Sequence, residues 1–420
     1  MIEEFVDWYS DELSEVKTPS ELFDKSIGYL QKLNFQIVRA SMGTRTLHPQ
    51  VESLAYTWVP KDKPEYIEEQ TNPLLHSKSL IESDNGILRE VRFRLGSLQT
   101  SQFVASPVQL VMSTKKPYYF SFANHKGETY PYPILDDLAP LGATGYLAVP
   151  VLQKGASLAF LSLVTDKIGG WTLEEQKFLL NVLKLVSLRW MNFIQSELTE
   201  SLLSVYLGKR TGSTVYSGKI YRGEVEKIQS VIWFSDIRNY SGISERLAPS
   251  EVINLLNDYF GTSIPIIEEY GGEVLKLLGD GILAVFPYTE KNKIVVGKKV
   301  LSGVRKLAGR LWNLNIERNK NDQISIHHGV GLHSGEILYG NIGSAERLDF
   351  TVIGEAVNLT SRIAGMCGEL GKAVLTSKDF AEQIPVRWEE LGEHKLKGIS
   401  EQRTIYAISD KIRTKDRIRI

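Results

Sequence analysis

From Trp171 to Leu207 the chain contains neither glycine nor proline, and no other feature restricts its architecture as much. Thr172 followed by Glu175 has the spacing of a capping box, in which each side chain satisfies a backbone N–H near the other residue. Phe178, Leu179, Val182, Leu183, Val186 and Trp190 then recur at helical spacing. The pattern predicts one helix that opens at Thr172 and keeps its register towards Gly208. A helix of this length links two modules, pairs with a second copy, or closes the domain before it. At 420 residues the chain exceeds one ordinary core, so a domain is expected on each side of it.

Residues 1 to about 35 carry apolar positions at helical spacing. QIVRASMGTRTL and ESLAYTWV read as strands, a polar stretch runs from Pro60 to Asn85, and GYLAVPVLQKGASLAFLSLV reads as strand, Lys-Gly turn and strand. After the long helix, Gly208, Gly212, Gly218 and Gly223 mark a turn-rich linker. IQSVIWFSD is then a strand, and Pro249-Ser250 opens a helix with Val252, Leu255, Leu256, Tyr259 and Phe260 on one face. GEVLKLLGDGILAVF is a hairpin, Lys293 to Leu314 a second helix, and SIHHGVGLHSGEILYG further strand. From residue 227 to about 410 the expectation is an α/β domain of hairpin-connected, largely antiparallel strands.

Composition excludes several classes of function. A net charge of −1 provides no electrostatic attraction for nucleic acid or an anionic membrane. One cysteine, Cys367, permits neither an internal disulfide nor a cysteine-rich zinc site. The first residues, MIEEFVDWYSDELSEV, are too acidic for a signal peptide. The best apolar run, Gly145 to Val164, is broken by Lys154 and contains Pro150, so no membrane span is expected. These features point to a cytoplasmic location.

Two apolar strands run directly into acids: VIWFSDIRNYS ends on Asp236, and KLLGDGILAVF turns at Asp280. Asp-Gly is also the commonest closure of a two-residue hairpin, so either acid alone is an ordinary turn residue. One helix packed over the sheet fits the interval between them and brings both carboxylates to one sheet edge. Two carboxylates with few other ligands suit magnesium, which keeps waters and shares substrate phosphates. Ile237, Arg238, Asn239, Tyr240 and Ser241 precede a helix, where backbone N–H groups can bind polyphosphate. Asn358 and Arg362 are four residues apart and share a helix face, an amide beside a guanidinium.

The succession FSDIR, KLLGDG, TVIGEAVNLTSR and KLKG resembles the class III nucleotidyl cyclase catalytic domain, and YLGKRTGSTVYSGKIYRGEVEKIQSV resembles the approach to that domain in bacterial members. The resemblance implies a ferredoxin-like, βαββαβ-based fold. It implies that Asp236 and Asp280 bind two Mg2+ (or Mn2+) ions, with Ile237 lending its carbonyl. Lys276 would read adenine, Asn358 and Arg362 would orient the ribose and stabilise the transition state, and Lys397 would contact the triphosphate. The implied reaction is attack of the ATP 3′-hydroxyl on the α-phosphorus, giving cyclic AMP and pyrophosphate. The implied assembly is a head-to-tail homodimer, one chain giving the aspartates and the other Lys276, Asn358 and Arg362.

Two positions depart from the family pattern. Thr351 stands where many members have an aspartate that partners the lysine, which places the chain in a Thr-containing bacterial subgroup with bicarbonate-responsive members. Glu355 replaces the usual acid before the V-N pair. Guanylyl cyclases usually carry an acid where Lys276 stands, so ATP is expected over GTP. Four alternatives remain at this stage: a guanylate cyclase, a non-catalytic cyclase-like module, a purely sensory dimerisation protein, and a diguanylate cyclase suggested by Gly271-Gly272-Glu273. The last lacks the continuation its chemistry needs, since Val274-Leu275 follows.

The first half resembles a GAF sensory domain, an α/β sandwich that takes a small-molecule ligand of unknown identity. His48 and Trp58 are candidates to face its pocket, and the absence of a cysteine there argues against a covalently bound bilin. The expected organisation is therefore α+β: a sensory domain at 1–195, a helical and Gly-rich linker at 196–226, a catalytic domain at 227–410 and a tail at 411–420.

Overall fold

The computed structural model describes the chain except for residues 1, 13–14, 47–49, 68–73, 126–128, 154–155, 220, 222, 345 and 409–420, and except for the side chains of 153–158. His48, the Lys154-Gly155 turn and the tail at 411–420 therefore lie outside the described residues. The chain forms two compact units that divide between Leu202 and Leu203.

The first unit runs α1 (Ile2–Glu12), α2 (Pro19–Lys32), β1 (Arg39–Arg45), β2 (Ser53–Val59), β3 (Leu75–Glu82), β4 (Ile87–Phe93), α3 (Ser101–Val104), α4 (Pro107–Thr114), β5 (Tyr118–Ser121), α5 (Pro133–Leu138), β6 (Gly145–Gln153), β7 (Ala156–Thr165) and most of α6 (Leu173–Leu207). Its antiparallel sheet has the order β3-β4-β2-β1-β7-β6-β5. Ala40, Met42, Leu54, Tyr56, Trp58, Leu161 and Leu163 point to one face and pack on the apolar sides of α2 and α6. The capping box at the head of α6 forms as expected: the Thr172 N–H donates to Glu175 Oε2 at 2.9 Å and the Glu175 N–H to Thr172 Oγ1 at 3.3 Å.

The structure refines two sequence expectations here and corrects one. The polar stretch from Pro60 to Asn85 contains β3, an edge strand whose mostly exposed residues leave no apolar alternation to read. The opening helical region divides into α1 and α2, with Thr18 accepting from the Glu21 N–H at 3.2 Å to start the second. Trp58 does not face a pocket. It shares the helix-packed face with Leu54 and Tyr56, is fully buried, and donates its indole N–H to Asp24 at 2.9 Å.

The second unit begins within the end of α6 and continues with α7 (Lys209–Tyr216), β8 (Val225–Ile237), α8 (Tyr240–Ser244), α9 (Pro249–Glu269), β9 (Glu273–Leu278), β10 (Gly281–Tyr288), α10 (Lys293–Lys320), β11 (His328–Gly343), β12 (Leu348–Ile353), α11 (Glu355–Gly365), β13 (Val374–Ser377), α12 (Lys378–Gln383), β14 (Trp388–Lys395) and β15 (Gln402–Ile408). The sheet order is β14-β15-β13-β11-β8-β10-β9, with β12 beside β11. Within it, β8-α9-β9-β10-α10-β11 is a βαββαβ succession with antiparallel neighbours. Val231, Trp233 and Ile237 face α9 and α10, whereas Ile232, Leu283 and Val285 face the side that carries Ala356 of α11.

The Gly-rich segment after α6 is not all turn, because α7 occupies its first half. Propensity argues against a helix there, but tertiary bonds override it. Thr211 is buried and bonds Glu273 of β9 through its N–H at 3.1 Å and Tyr339 of β11 through its hydroxyl at 2.9 Å. Gly212 lies against the backbone of Leu203, where a Cβ would stand only 2.8 Å from the chain.

Candidate active site

Asp236 is the penultimate residue of β8, and Asp280 sits in the turn between β9 and β10. Ser235 pairs with Ile282 across β8 and β10, so both acids emerge at the same sheet edge. Gly279 takes a φ of 66° in that turn, a conformation that glycine adopts without steric cost. The Ile237 N–H donates to Asp280 Oδ2 at 3.0 Å, which ties the turn to the end of β8.

Both carboxyls are raised above the usual carboxylate range. Burial pushes the Asp236 carboxyl up to about 6, the charge of Asp280 adds to the effect, and Arg238 works against it. Asp280 is raised by burial too, opposed by its own backbone N–H and that of Ile237. Beneath them, Tyr259 and Trp233 both donate to the buried Ser235 hydroxyl, at 2.9 and 3.0 Å. His328, opposite Ile237, is held neutral, since burial and then Arg238 push it down to about 4. Arg238 turns its guanidinium onto the Lys372 carbonyl. The acids thus share a half-buried edge with little compensating positive charge. That donor set fits a hard divalent cation taking oxygen ligands and water. Among the described residues no group of three or more His, Cys, Asp or Glu is placed to hold a metal, so this is a two-carboxylate edge and not a closed cage.

The segment after Asp236 only partly matches its expected role. The N–H groups of Ile237 and Arg238 are engaged, by Asp280 and by the His327 carbonyl at 2.8 Å. Tyr240 packs into the apolar core. Asn239 adopts the left-handed conformation at φ 54° and caps α8, with Ser241 exposed beside it. The backbone of Asn239, Tyr240 and Ser241 remains as the candidate phosphate cradle.

Asn358 and Arg362 both lie on the exposed face of α11, one turn apart. The opposite face buries Ala356, Leu359, Thr360 and Ile363. Gly331 of β11 permits that close docking, because a Cβ there would lie 2.6 Å from the Ala364 nitrogen and the Thr360 carbonyl. Among the described residues neither side chain makes a hydrogen bond or ion pair, and the charges acting on Asp236 are Asp280 and Arg238, not Arg362. Lys397 follows β14 and is exposed.

Lys276 lies on β9, and Thr351 sits opposite Gly340 on β12. Lys276 forms an ion pair with Asp349, two residues before Thr351. Sequence reading passed over Asp349, although the alternation in LDFTVI places it on the same strand face as Thr351.

The first unit has its own cavity, of about 810 Å³. Its floor is the second sheet face, where Ser41, Gly43, Ser53, Thr57 and Ser162 alternate with the large apolar residues of the other face. Met112, Ile134 and Leu138 contribute to the remaining wall. The signal was present in the strands as alternation of large apolar with small or hydroxyl residues.

Residues 223–410 match the family model described as the adenylate and guanylate cyclase catalytic domain. The second unit carries a cyclase catalytic domain. Relatives of this cyclase domain include "Adenylate cyclase, terminal-differentiation specific" of Dictyostelium discoideum, 30% identical over 47% of this chain and 9% of that protein. "Adenylate cyclase" of Anabaena cylindrica is 32% identical over 39% of this chain and 32% of its own length. "Adenylate cyclase 1" of Rhizobium meliloti is 28% identical over 43% and 27% respectively. The chain thus spans about a third or less of these relatives. Among the described residues no helix is long and apolar enough to cross a membrane.

Proposed function

We propose that the chain is an adenylate cyclase, converting ATP to 3′,5′-cyclic AMP and pyrophosphate at a site completed by a second copy of itself. The observation that carries this reading is the pair Asp236 and Asp280, raised together at one sheet edge of a cyclase catalytic domain. These carboxylates, with the Ile237 carbonyl, would hold two Mg2+ or Mn2+ ions. When bound, such ions supply an activated hydroxyl and neutralise the leaving oxygen. The bond formed joins the ribose 3′-oxygen to the α-phosphorus; the bond broken joins that phosphorus to the pyrophosphate oxygen.

The chain's own groups position the nucleotide. Asn358 holds the ribose by its amide, and the Arg362 guanidinium binds the phosphoryl oxygens on which charge grows. The backbone of Asn239, Tyr240 and Ser241, with Lys397, receives the triphosphate, while Lys276 and Thr351 meet the base. Among the described residues no ion pair joins Arg362 to either acid, and a homodimer that juxtaposes the two sets would supply the complete site. The first unit is read as a GAF-like sensory module whose cavity takes a small-molecule regulator.

The deciding experiment supplies purified protein with ATP or GTP and manganese, and reads cyclic AMP, cyclic GMP and cyclic di-GMP. Cyclic AMP is the expected product. Cyclic GMP alone would overturn the base assignment, and no cyclic product would make the second unit a non-catalytic module. For the first unit, a small molecule that raises the unfolding temperature of the wild-type protein should fail on Ser162→Phe, which fills the cavity floor.

A further inference from the structure

Helix α10 carries eight Lys and Arg residues and a single acid, Glu317. Three of the cations are occupied: Lys293 pairs with Glu290, Lys306 with Glu269, and the buried Arg318 with Asp258. The other five, Lys298, Lys299, Arg305, Arg310 and Lys320, are exposed, and among the described residues none of them makes an ion pair. The net charge of −1 averages this helix with an acid excess elsewhere in the chain, so bulk charge conceals it.

The inner face of α10 is core: Val300, Val304, Leu307 and Leu311 are buried together with Leu255 and Tyr259 of α9. The outer face is not simply polar. Ile294, Val295, Trp312 and Ile316 stand out from it at 44, 55, 51 and 44% exposure. Trp312 is the one exposed tryptophan of the seven in the chain. At about 100° per residue, Ile294 and Trp312 fall on one line along the helix, about 27 Å apart. Ile316, Lys298 and Arg305 lie within about 40° of that line, and Lys320 and Val295 close the stripe at about 80 to 100°. No acid enters it.

The stripe thus interleaves apolar side chains with cations along a convex helix. Nucleic acid would engage the cations but leave Ile294, Val295 and Ile316 without apolar contact. An anionic bilayer satisfies both sets: lipid headgroups meet the cations, and the apolar side chains enter the boundary between headgroups and acyl chains. Tryptophan suits that boundary because its ring is apolar and its N–H polar. Lys and Arg lay their apolar stems along such a surface while their charges stay in water. We propose that the outer face of α10 docks the chain peripherally on an anionic lipid bilayer. This surface is separate from the candidate active site, and its role does not depend on the cyclase reading.

The test is co-sedimentation of the full chain with sucrose-loaded vesicles, either phosphatidylcholine alone or phosphatidylcholine with about a third phosphatidylglycerol. Wild type should bind the anionic vesicles only, and should be released as salt rises from about 0.05 to about 0.5 M. Each basic residue near such a surface is worth about fivefold in partitioning, so the triple variant Lys298→Gln, Arg305→Gln, Lys320→Gln should bind about 100-fold more weakly. Anionic vesicles should also shield part of the wild-type indole emission from acrylamide, and Trp312→Phe should lose that shielding. The substituted side chains are exposed, so the unfolding temperatures should match wild type, which separates lost binding from lost folding. Failure to bind anionic vesicles, equal binding to both kinds, or undiminished binding by the triple variant would each overturn the proposal. Tighter binding of single-stranded RNA than of anionic vesicles, lost in the same triple variant, would overturn it in favour of a nucleic-acid surface.

Discussion

Replacing Asp236 by asparagine should stabilise the metal-free protein while removing its activity. The Asp236 carboxyl is raised from 3.8 to about 6, first by burial and then by Asp280. A raised acid binds its proton more tightly when folded, so ionisation destabilises the fold. This penalty is absent below the unfolded value of 3.8, grows as pH rises from there to about 6, and is complete above about 6. Roughly two pK units correspond to about 3 kcal/mol. The group is partly exposed, so solvent screening reduces this to roughly 1 to 1.5 kcal/mol. For a unit of the size of Leu203–Ile420, each kcal/mol moves the midpoint by about 2 to 4 °C. Differential scanning calorimetry in EDTA at pH 8 should thus show the second unit of Asp236→Asn unfolding about 2 to 6 °C above wild type. At pH 4.5 the gap should narrow to roughly a third, because folded Asp236 is then protonated while its unfolded form is already largely ionised. With millimolar Mg2+ at pH 8 the order should reverse, since only the wild type gains binding energy from the ion. A variant less stable than wild type at pH 8 in EDTA, or a gap that ignores pH, would refute the reasoning.

Further outcomes follow from the same geometry. Mixing inactive Asp236→Ala and Arg362→Ala proteins should restore roughly a quarter of wild-type activity, since about half the dimers are mixed and each has one intact site; no recovery despite demonstrated heterodimers would place both sets within one chain. Gly331→Ala drives a Cβ into the backbone of α11, and should cost about 1 to 3 kcal/mol in chemical denaturation and lower kcat through displaced Asn358 and Arg362; wild-type kcat would mean that the helix tolerates the shift. One alanine inserted after Ser196 rotates the following helix by about 100°, so basal activity should fall and largely return with seven; a flat series would remove α6 from regulation.

Much of this protein is legible in its sequence because the governing forces are local. The capping box and unbroken apolar stripe specify α6, and the spacing of Asn358 and Arg362 puts them on one helix face whatever the surroundings. The turn glycines flanking Asp280 and the apolar runs around both acids place the carboxylates at strand ends. Elsewhere the deciding contacts come from residues distant in the chain. Helix α7 forms in a glycine-rich stretch because Glu273 and Tyr339 bind Thr211, and Trp58 joins the core because Asp24 satisfies its indole. The edge strand β3 shows no apolar period because one neighbour and solvent flank it. Most consequentially, the partner of Lys276 is decided across strands: Asp349 meets it only because β12 folds back along β11 to lie beside β9, a pairing energy that no short-range pattern records.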